Sequence, residues 1–182
     1  MAIQLATSAI GVLRSQLARR HHVQVGNRVR LLGTVRVFNE GSMELHDRVL
    51  IDGRHEPVII STIGAGKLVI NEGVFMNYGS DIACASSVTI GAYTRIGPRV
   101  TIGDHSAHAI DANTPDVPQP VVIGDDVWLG RNTIVLPGVT VGRGTLVAAG
   151  SVVTKSLPDC VLAAGVPAKV IRELSMPLGF HR

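Results

Sequence analysis

Two histidines, His105 and His108, lie in a polar segment that reads TIGDHSAHAIDANTPDVPQPVVIG over residues 101–124. The segment begins with Thr-Ile-Gly, ends with Val-Ile-Gly, and differs in composition from the sequence on either side. A histidine can accept a proton near neutral pH because its unperturbed pKa is about 6.5. Either residue could therefore act as a general base toward a hydroxyl or an amine.

Aliphatic residues recur at every sixth position on both sides of this segment. They are Ile90, Ile96 and Ile102 before it, and Ile123, Leu129, Val135, Val141, Val147 and Val153 after it. Most are followed by Gly or Ala, and a short or β-branched residue usually stands four places later. A period of six fits neither an α-helix nor a simple alternating strand. It predicts short strands joined by tight turns, with one aliphatic side chain per strand facing inward.

Three such hexads make a triangular coil of 18 residues, and stacked coils form parallel sheets around an aliphatic interior. The composition agrees, since 46% of the 182 residues are hydrophobic, only 3% are aromatic and 20 are Gly. A β-sandwich would place its turns at irregular intervals. The sequence therefore predicts an all-β fold, a parallel β-helix, in a single domain.

The hexads and the stretch GSVVTKSLPDCVLAAGVPAKVIRE (150–173) resemble the hexapeptide-repeat acyltransferases. Within that family the chain is most similar to saccharide O-acetyltransferases of the maltose and galactoside type and to those that modify bacterial surface polysaccharides. The resemblance is close over about 70–173 and looser over 23–69. It implies a left-handed β-helix, a sense that the period alone does not give. It also implies a homotrimer with active sites between subunits.

The first 22 residues are predicted to form a helix that caps the open end of the prism. Their apolar residues are spaced three or four apart, at Ile3, Ala6, Ile10, Leu13 and Leu17. The alternative is a basic amphipathic segment on a membrane surface. The β-helix domain is then expected over 23–173, with a loop protruding at about 104–121, and a tail over 174–182.

The resemblance assigns the general base to His108. His105 falls where the coil is still regular, whereas His108 falls where the loop departs. In the family a proline usually follows the base, and here Ala109 takes its place. His105 stays as the alternative base, and Asp104 or Asp111 could orient the imidazole.

Asn77 and Trp128 are the residues predicted to contact the acceptor. Asn77 lies in the stretch FMNYG, where the family has an asparagine that binds the acceptor, although it could instead form a polar ladder inside a coil. Trp128 is the only tryptophan in the sequence and is expected to point outward as a wall of the substrate channel. A trimer contact is the alternative for Trp128.

The resemblance implies acetyl-CoA as the acyl donor. It implies that the backbone of Arg131 supplies a donor near the thioester and that Ala149 and Thr154 line the pantetheine arm. It places Lys155, Lys169 and Arg172 at the nucleotide phosphates, which Lys and Arg suit. A basic C-terminal helix that is merely solvated is the alternative for the last cations. No glycine-rich phosphate loop is present in the sequence.

Charge and cysteine content exclude several other classes. The net charge of +3 is too small to indicate nucleic acid binding. Cys84 and Cys160 have no metal or redox spacing and are expected to be free, buried thiols. No apolar run reaches the roughly 18–20 residues of a membrane span, and the N-terminus does not resemble a signal peptide. A cytoplasmic protein is expected.

These observations predict an acetyl-CoA-dependent O-acetyltransferase that acts on a sugar or polysaccharide precursor and requires no metal. The main alternative is an N-acetyltransferase for a nucleotide-linked amino sugar or a drug-like molecule. A non-catalytic β-helix scaffold is a further alternative. A zinc enzyme of the carbonic anhydrase kind is disfavoured because its histidine spacing is missing.

Overall fold

Parallel β-strands account for nearly all regular structure in the part of the protein that the structure describes. The computed structural model describes residues 22–109, 113, 117–176 and 181, and within them it has eighteen strands and no helix. Apart from His22, the predicted capping helix at residues 1–22 lies outside the described residues. No helix in these ranges is long and apolar enough to span a membrane.

The strands stack on three faces of a prism. The first face holds β1 (Val23–Val25), β3 (Ser42–Leu45), β5 (Lys67–Ile70), β8 (Ser87–Ile90), β11 (Val121–Ile123) and β14 (Thr140–Val141). The second holds β6 (Phe75–Met76), β9 (Arg95–Ile96), β12 (Trp128–Leu129), β15 (Leu146–Val147) and β17 (Val161–Gly165). The third holds β7 (Asp81–Cys84), β10 (Thr101–Gly103), β13 (Ile134–Val135) and β16 (Val152–Val153). Two long strands, β2 (Arg30–Asn39) and β4 (Leu50–Thr62), turn a corner and contribute to both the second and third faces.

The aliphatic residues of the hexads form the interior, as the sequence predicted. On the first face Ile123 pairs with Ile90 on one side and with Val141 on the other. The other two ladders are Met76, Ile96, Leu129 and Val147 on the second face, and Ile82, Ile102, Val135 and Val153 on the third. Each of these side chains is at most 1% exposed. The β-helix prediction is therefore confirmed, while its left-handed sense stays a prediction.

Threonines four places after the aliphatic residues hold the corners together. The Thr94 hydroxyl donates to the carbonyl of Gly124 (2.8 Å) and accepts the N–H of Val127 (3.1 Å). Thr145 does the same two coils further on, with Pro158 (2.7 Å) and Val161 (3.2 Å). Each buried hydroxyl thus satisfies backbone groups that the tight turn leaves unpaired, which is why these positions are small and polar.

The polar segment leaves the prism at the corner between the third and first faces without disturbing the stacking. Its two ends are joined by a hydrogen bond from the N–H of Gln119 to the carbonyl of Asp104 (2.7 Å). Gln119 in turn accepts the N–H of Gly138 (3.0 Å) in the next coil. Beyond it, β11 resumes pairing with β8 in full register.

The chain ends the prism with a hairpin rather than another coil. Strand β18 (Ala168–Glu173) pairs antiparallel with β17. Most β18 side chains are exposed, and Ala168 at its start packs against the core. The structure has a strand where a basic C-terminal helix was considered.

Two glycines that follow buried isoleucines test the close approach of successive coils. A Cβ on Gly91 would overlap the backbone of Gly124 and Asp125 in the next coil, whereas the nearest contact of a Cβ on Gly103 is an ordinary 3.5 Å. We expect Gly91→Ala to lower the free energy of unfolding by roughly 1–3 kcal/mol, as overpacking does. Gly103→Ala is the matched control and should change it by less than about 0.5 kcal/mol. Equal midpoints of denaturant unfolding for the two variants would contradict this account.

Candidate functional site

Three predicted site residues lie along the edge that joins the second face to the third. Asn77 follows β6, Arg131 follows β12 and Ala149 follows β15. The N–H of Asn77 donates to the carbonyl of Ile96 in the next coil (3.0 Å). The N–H of Gly150 donates to the carbonyl of Arg131 (2.8 Å). We call this edge the 2–3 corner, which comprises residues 53–57, 77–80, 97–99, 130–132 and 148–150.

Tyr78 is the centre of a side-chain cluster on the 2–3 corner that the sequence analysis missed. Arg131 donates from Nη2 to the Tyr78 hydroxyl (2.7 Å), and its guanidinium carbon lies 5.6 Å from the ring centroid. The His55 ring meets the Tyr78 ring edge-on at 5.3 Å and 70°. One signal was available, because Ile51 and Ile60 are nine positions apart rather than six. The three extra residues are what bring His55 to this corner.

Trp128 stands beside the 2–3 corner on the outer surface of the second face. Its side chain is 47% exposed, and its neighbours on the adjacent strands are Arg95 and Leu146. The backbone is fixed, since the Trp128 N–H donates to the carbonyl of Thr145 (2.9 Å). The ring therefore points outward as expected and offers an apolar surface to a neighbouring molecule.

Asp104 fixes the start of the polar loop. Its carboxylate is fully buried and accepts the backbone N–H groups of residues 85–87 at 2.7–2.8 Å. Burial raises the pKa of this carboxyl, but the hydrogen bonds from Ala85, Ser86, the His105 ring and Ser87 outweigh that effect, so the pKa is lowered. Asp104 is therefore an ionised acceptor in the interior of the 3–1 corner, the edge that joins the third face to the first.

His105 is held by this carboxylate. Its Nδ1 lies 3.0 Å from Asp104 Oδ1, and its side chain is 9% exposed. An ionised carboxylate can only accept, so Nδ1 is the donor in this contact, and in the neutral imidazole Nε2 would hold the lone pair. This is the tautomer that a base needs, and the oriented imidazole follows the logic of a carboxylate–histidine pair.

His108, the predicted base, lies three residues further along the loop and is exposed. The structure does not place it against an acidic side chain within the ranges it describes. Asp111, the second candidate for orienting an imidazole, lies outside the described residues. The fold thus separates the two histidines into one that is fixed and one that is accessible.

The loop and the 2–3 corner lie at opposite ends of the third face within one protomer. The chain runs from Gly97 on the corner through β10 to Asp104 at the start of the loop. A turn at residues 97–100 and the three residues of β10 separate the two corners, so they lie a full face apart. The predicted base is therefore not brought together with Asn77, Arg131 and Ala149 in a single chain.

The remaining predicted donor residues lie in two further places. Thr154 and Lys155 follow β16 on the 3–1 corner. Lys169 and Arg172 lie on β18, opposite Ala164 and Leu162, near the end of the second face. All four are exposed. The structure groups Arg131 with Ala149 but does not bring Thr154 or Lys155 onto the same edge.

The cysteines, the possible metal ligands and one cavity are further features that could carry chemistry. Cys84 is buried and Cys160 is half-buried, and both are free; burial raises the pKa of Cys84 to about 12, which leaves it an inert thiol. Within the described ranges, no three His, Cys, Asp or Glu side chains are close enough to hold a metal ion. A cavity of about 400 Å³ lined by Glu44, His46 and Glu72 lies on the edge between the first and second faces, away from both candidate regions.

Comparison with known proteins gives matches along most of the chain. Residues 120–155 match the family model "Bacterial transferase hexapeptide (six repeats)". A protein of Escherichia coli named for lipopolysaccharide biosynthesis O-acetyl transfer (WbbJ) is 39% identical over 126 residues, 63% of this chain and 64% of the relative. The galactoside O-acetyltransferase of Escherichia coli is 37% identical over 66% of this chain and 60% of the enzyme. The chain thus spans about three fifths of the length of these relatives.

A further relative extends the match into the first coils. A protein of Schizosaccharomyces pombe that carries the name acetyltransferase (C18B11.09c) is 34% identical over 154 residues, which is 82% of this chain and 69% of that protein. The chain belongs to the hexapeptide-repeat transferase family.

Solved structures of hexapeptide-repeat proteins share the fold. An acetyltransferase from Vibrio cholerae in complex with acetyl coenzyme A has a TM-score of 0.65 at 25% identity and covers 93% of this chain and 80% of its own. A polysialic acid O-acetyltransferase has a TM-score of 0.76 at 25% identity, over 87% and 78%.

In this hexapeptide-repeat transferase, replacing Asp104 by Asn should flatten the pH dependence of stability. Because the folded pKa of Asp104 lies below its unfolded value of about 3.9, the stabilisation is present above that pH and is lost as the pH falls through the folded pKa. Asn would also direct an amide donor at the N–H groups of residues 85–87, so the variant should be less stable at pH 7. Thermal unfolding from pH 3 to pH 7 would test this, and parallel curves for the two proteins would contradict it.

Proposed function

We propose that the protein transfers an acetyl group from acetyl-CoA to a hydroxyl of a saccharide. The observation that carries the proposal is the alignment of Asn77, Arg131 and Ala149 on one rigid edge beside the exposed ring of Trp128. Three steps between neighbouring strands, at about 4.8 Å each, give this edge a length of roughly 14 Å. Such an edge suits the narrow pantetheine arm of coenzyme A. The names of the relatives support the reaction class.

The acetyl donor is proposed to lie along the 2–3 corner with its thioester near Arg131. Ala149 leaves room for the arm because its side chain is a single methyl group. Lys169 and Arg172 then offer cations for the nucleotide phosphates beyond the last coil. Thr154 and Lys155 would complete this contact from the 3–1 corner of an adjacent protomer.

His108 is proposed as the general base, because its imidazole is exposed and carried on the loop that leaves the prism. The pair of Asp104 and His105 anchors the start of that loop. His105 is the second candidate for the base, favoured by its 3.0 Å contact with a buried carboxylate. In either case the base removes the proton of the acceptor hydroxyl as the oxygen attacks the thioester carbonyl.

A homotrimer is proposed because the base and the donor edge lie at opposite ends of one face. A neighbouring protomer that presents its loop to the 2–3 corner would bring the two regions together. Trp128 would then be covered by that neighbour, which accounts for a large apolar ring on the surface. Each of three equivalent sites would draw residues from two chains.

Histidine variants assayed for thiol release from acetyl-CoA test the base. With a panel of sugars, nucleotide-linked sugars and amino sugars, His108→Ala should lower kcat by about a hundredfold or more, the loss expected for a general base. His105→Ala should lower it less. His46→Ala, an exposed imidazole on another edge, is the control and should be unaffected. A larger loss with His105→Ala would move the base to the Asp104–His105 pair.

Mixed assemblies test whether sites lie between subunits. His108→Ala lacks the base, and Ala149→Arg blocks the proposed donor edge, so each variant alone should be nearly inactive. The two variants are unfolded together in equal amounts and refolded. A shared site is intact only when both of its chains contribute an unmutated half, and each does so with a chance of one half. About a quarter of wild-type activity should therefore return. Sites contained within one chain would give no recovery in the mixture.

A further inference from the structure

Arg131 is the side chain on the 2–3 corner whose charge the fold does not balance. Nearby arginines have carboxylate partners, with Arg99 bound to Glu56 at 2.6 Å and Arg54 bound to Asp52 at 2.7 Å. The hydrogen bond of Arg131 instead goes to the neutral hydroxyl of Tyr78. Among the ion pairs of the described residues, none includes Arg131. Its guanidinium is therefore oriented by the protein and still carries an unpaired positive charge.

Tyr78 adds a second donor at the same place. Its oxygen accepts the Arg131 N–H at 2.7 Å, so its own proton is free to point toward a ligand. The preceding residue supplies a third donor, because Asn77 Oδ1 accepts the N–H of Tyr78 (2.9 Å) and leaves the amide N–H₂ group available. Three donors and one positive charge thus lie on this part of the corner. Such a set favours an anionic ligand over a neutral one.

The cluster is held in place before any ligand binds. Asp52 is 8% exposed and takes both Nε (2.9 Å) and Nη2 (2.7 Å) of Arg54 in a bidentate pair. This pair fixes the three-residue extension that carries His55 and Glu56. His55 then packs edge-on against Tyr78, and Glu56 holds Arg99 on the next turn. Because a preorganised site loses little entropy on binding, these contacts are consistent with a binding role rather than a loose surface.

We propose that the 2–3 corner binds a carboxylate of the acceptor, so that the substrate is an acidic saccharide such as a uronic or sialic acid residue. This inference rests on the proposed function. Arg131 lies between Asn77, the proposed acceptor contact, and Ala149, the proposed donor contact. The cations proposed for the coenzyme A phosphates, Lys169 and Arg172, lie on β18, three strand steps or roughly 14 Å beyond β12. The carboxylate of the acceptor is the anion that fits the position of Arg131.

Matched acceptors and variants test the assignment. Each acidic sugar is compared with its methyl ester, which has the same ring and hydroxyls but no charge. The proteins are the wild type, Arg131→Gln, Tyr78→Phe and the control Arg143→Gln, which makes the same charge change on another edge. Equilibrium binding of acid and ester is measured by calorimetry without acetyl-CoA, and kcat/KM is measured with it. The KM for acetyl-CoA is followed separately, and circular dichroism checks that each variant is folded.

The wild type and Arg143→Gln should bind the acid at least about tenfold more tightly than the ester, the usual contribution of a charged hydrogen bond. Arg131→Gln should lose that preference, and Tyr78→Phe should weaken it, with the KM for acetyl-CoA little changed. Equal binding of acid and ester by the wild type would overturn the proposal, even if the enzyme is active. An increase confined to the KM for acetyl-CoA in Arg131→Gln would also overturn it and assign the guanidinium to a coenzyme phosphate. Failure of the proposed function itself is distinct, since it would give no thiol release while the binding preference remained measurable.

Discussion

The structure depends on the hydrogen bonds between successive coils, which require each coil to lie directly on the last. Strands pair in parallel at a fixed spacing of about 4.8 Å, so an inward side chain meets only the equivalent residue above and below it. Ile90, Ile123 and Val141 form one such column without exposed surface. Aliphatic residues of similar size fill these columns, and a much larger ring would force the coils apart. This constraint explains both the hexad repeat and the scarcity of aromatic residues.

The same constraint restricts chemistry to the edges of the prism. Side chains inside the coils are buried among aliphatic neighbours, and those on the flat faces stand in rows fixed by strand pairing. A segment can leave the repeat only at a corner, where the next coil does not need it for pairing. The bond between Gln119 and Asp104 closes the base of the long loop, so β8 and β11 pair as if the loop were absent. The scaffold therefore carries a loop without losing its own cooperativity.

The sequence was sufficient to predict the fold because the repeat reports each inward-facing position directly. It was less informative about the site, since outward contacts join residues that are distant in sequence and have no fixed spacing. Arg131 and Tyr78 are 53 positions apart, and Asp104 reaches back 17 to 19 positions to the turn at residues 85–87. The resemblance directed attention to Arg131 for its backbone, whereas the structure gives its side chain a defined partner. For the two histidines, spacing alone did not reveal that His105 is bound to a buried carboxylate while His108 is exposed.

The two interruptions of the repeat have opposite electrostatic characters, and this difference has a consequence for catalysis. The 3–1 corner contains an ionised carboxylate that accepts backbone N–H groups and the Nδ1 side of the His105 ring, so it fixes the orientation of that imidazole. The 2–3 corner presents donors and a positive charge, which suit a carboxylate and an oxyanion that develops at a thioester carbonyl. The width of one face separates the two environments within a protomer, and in the proposed trimer a second protomer would bring them together in the complete site.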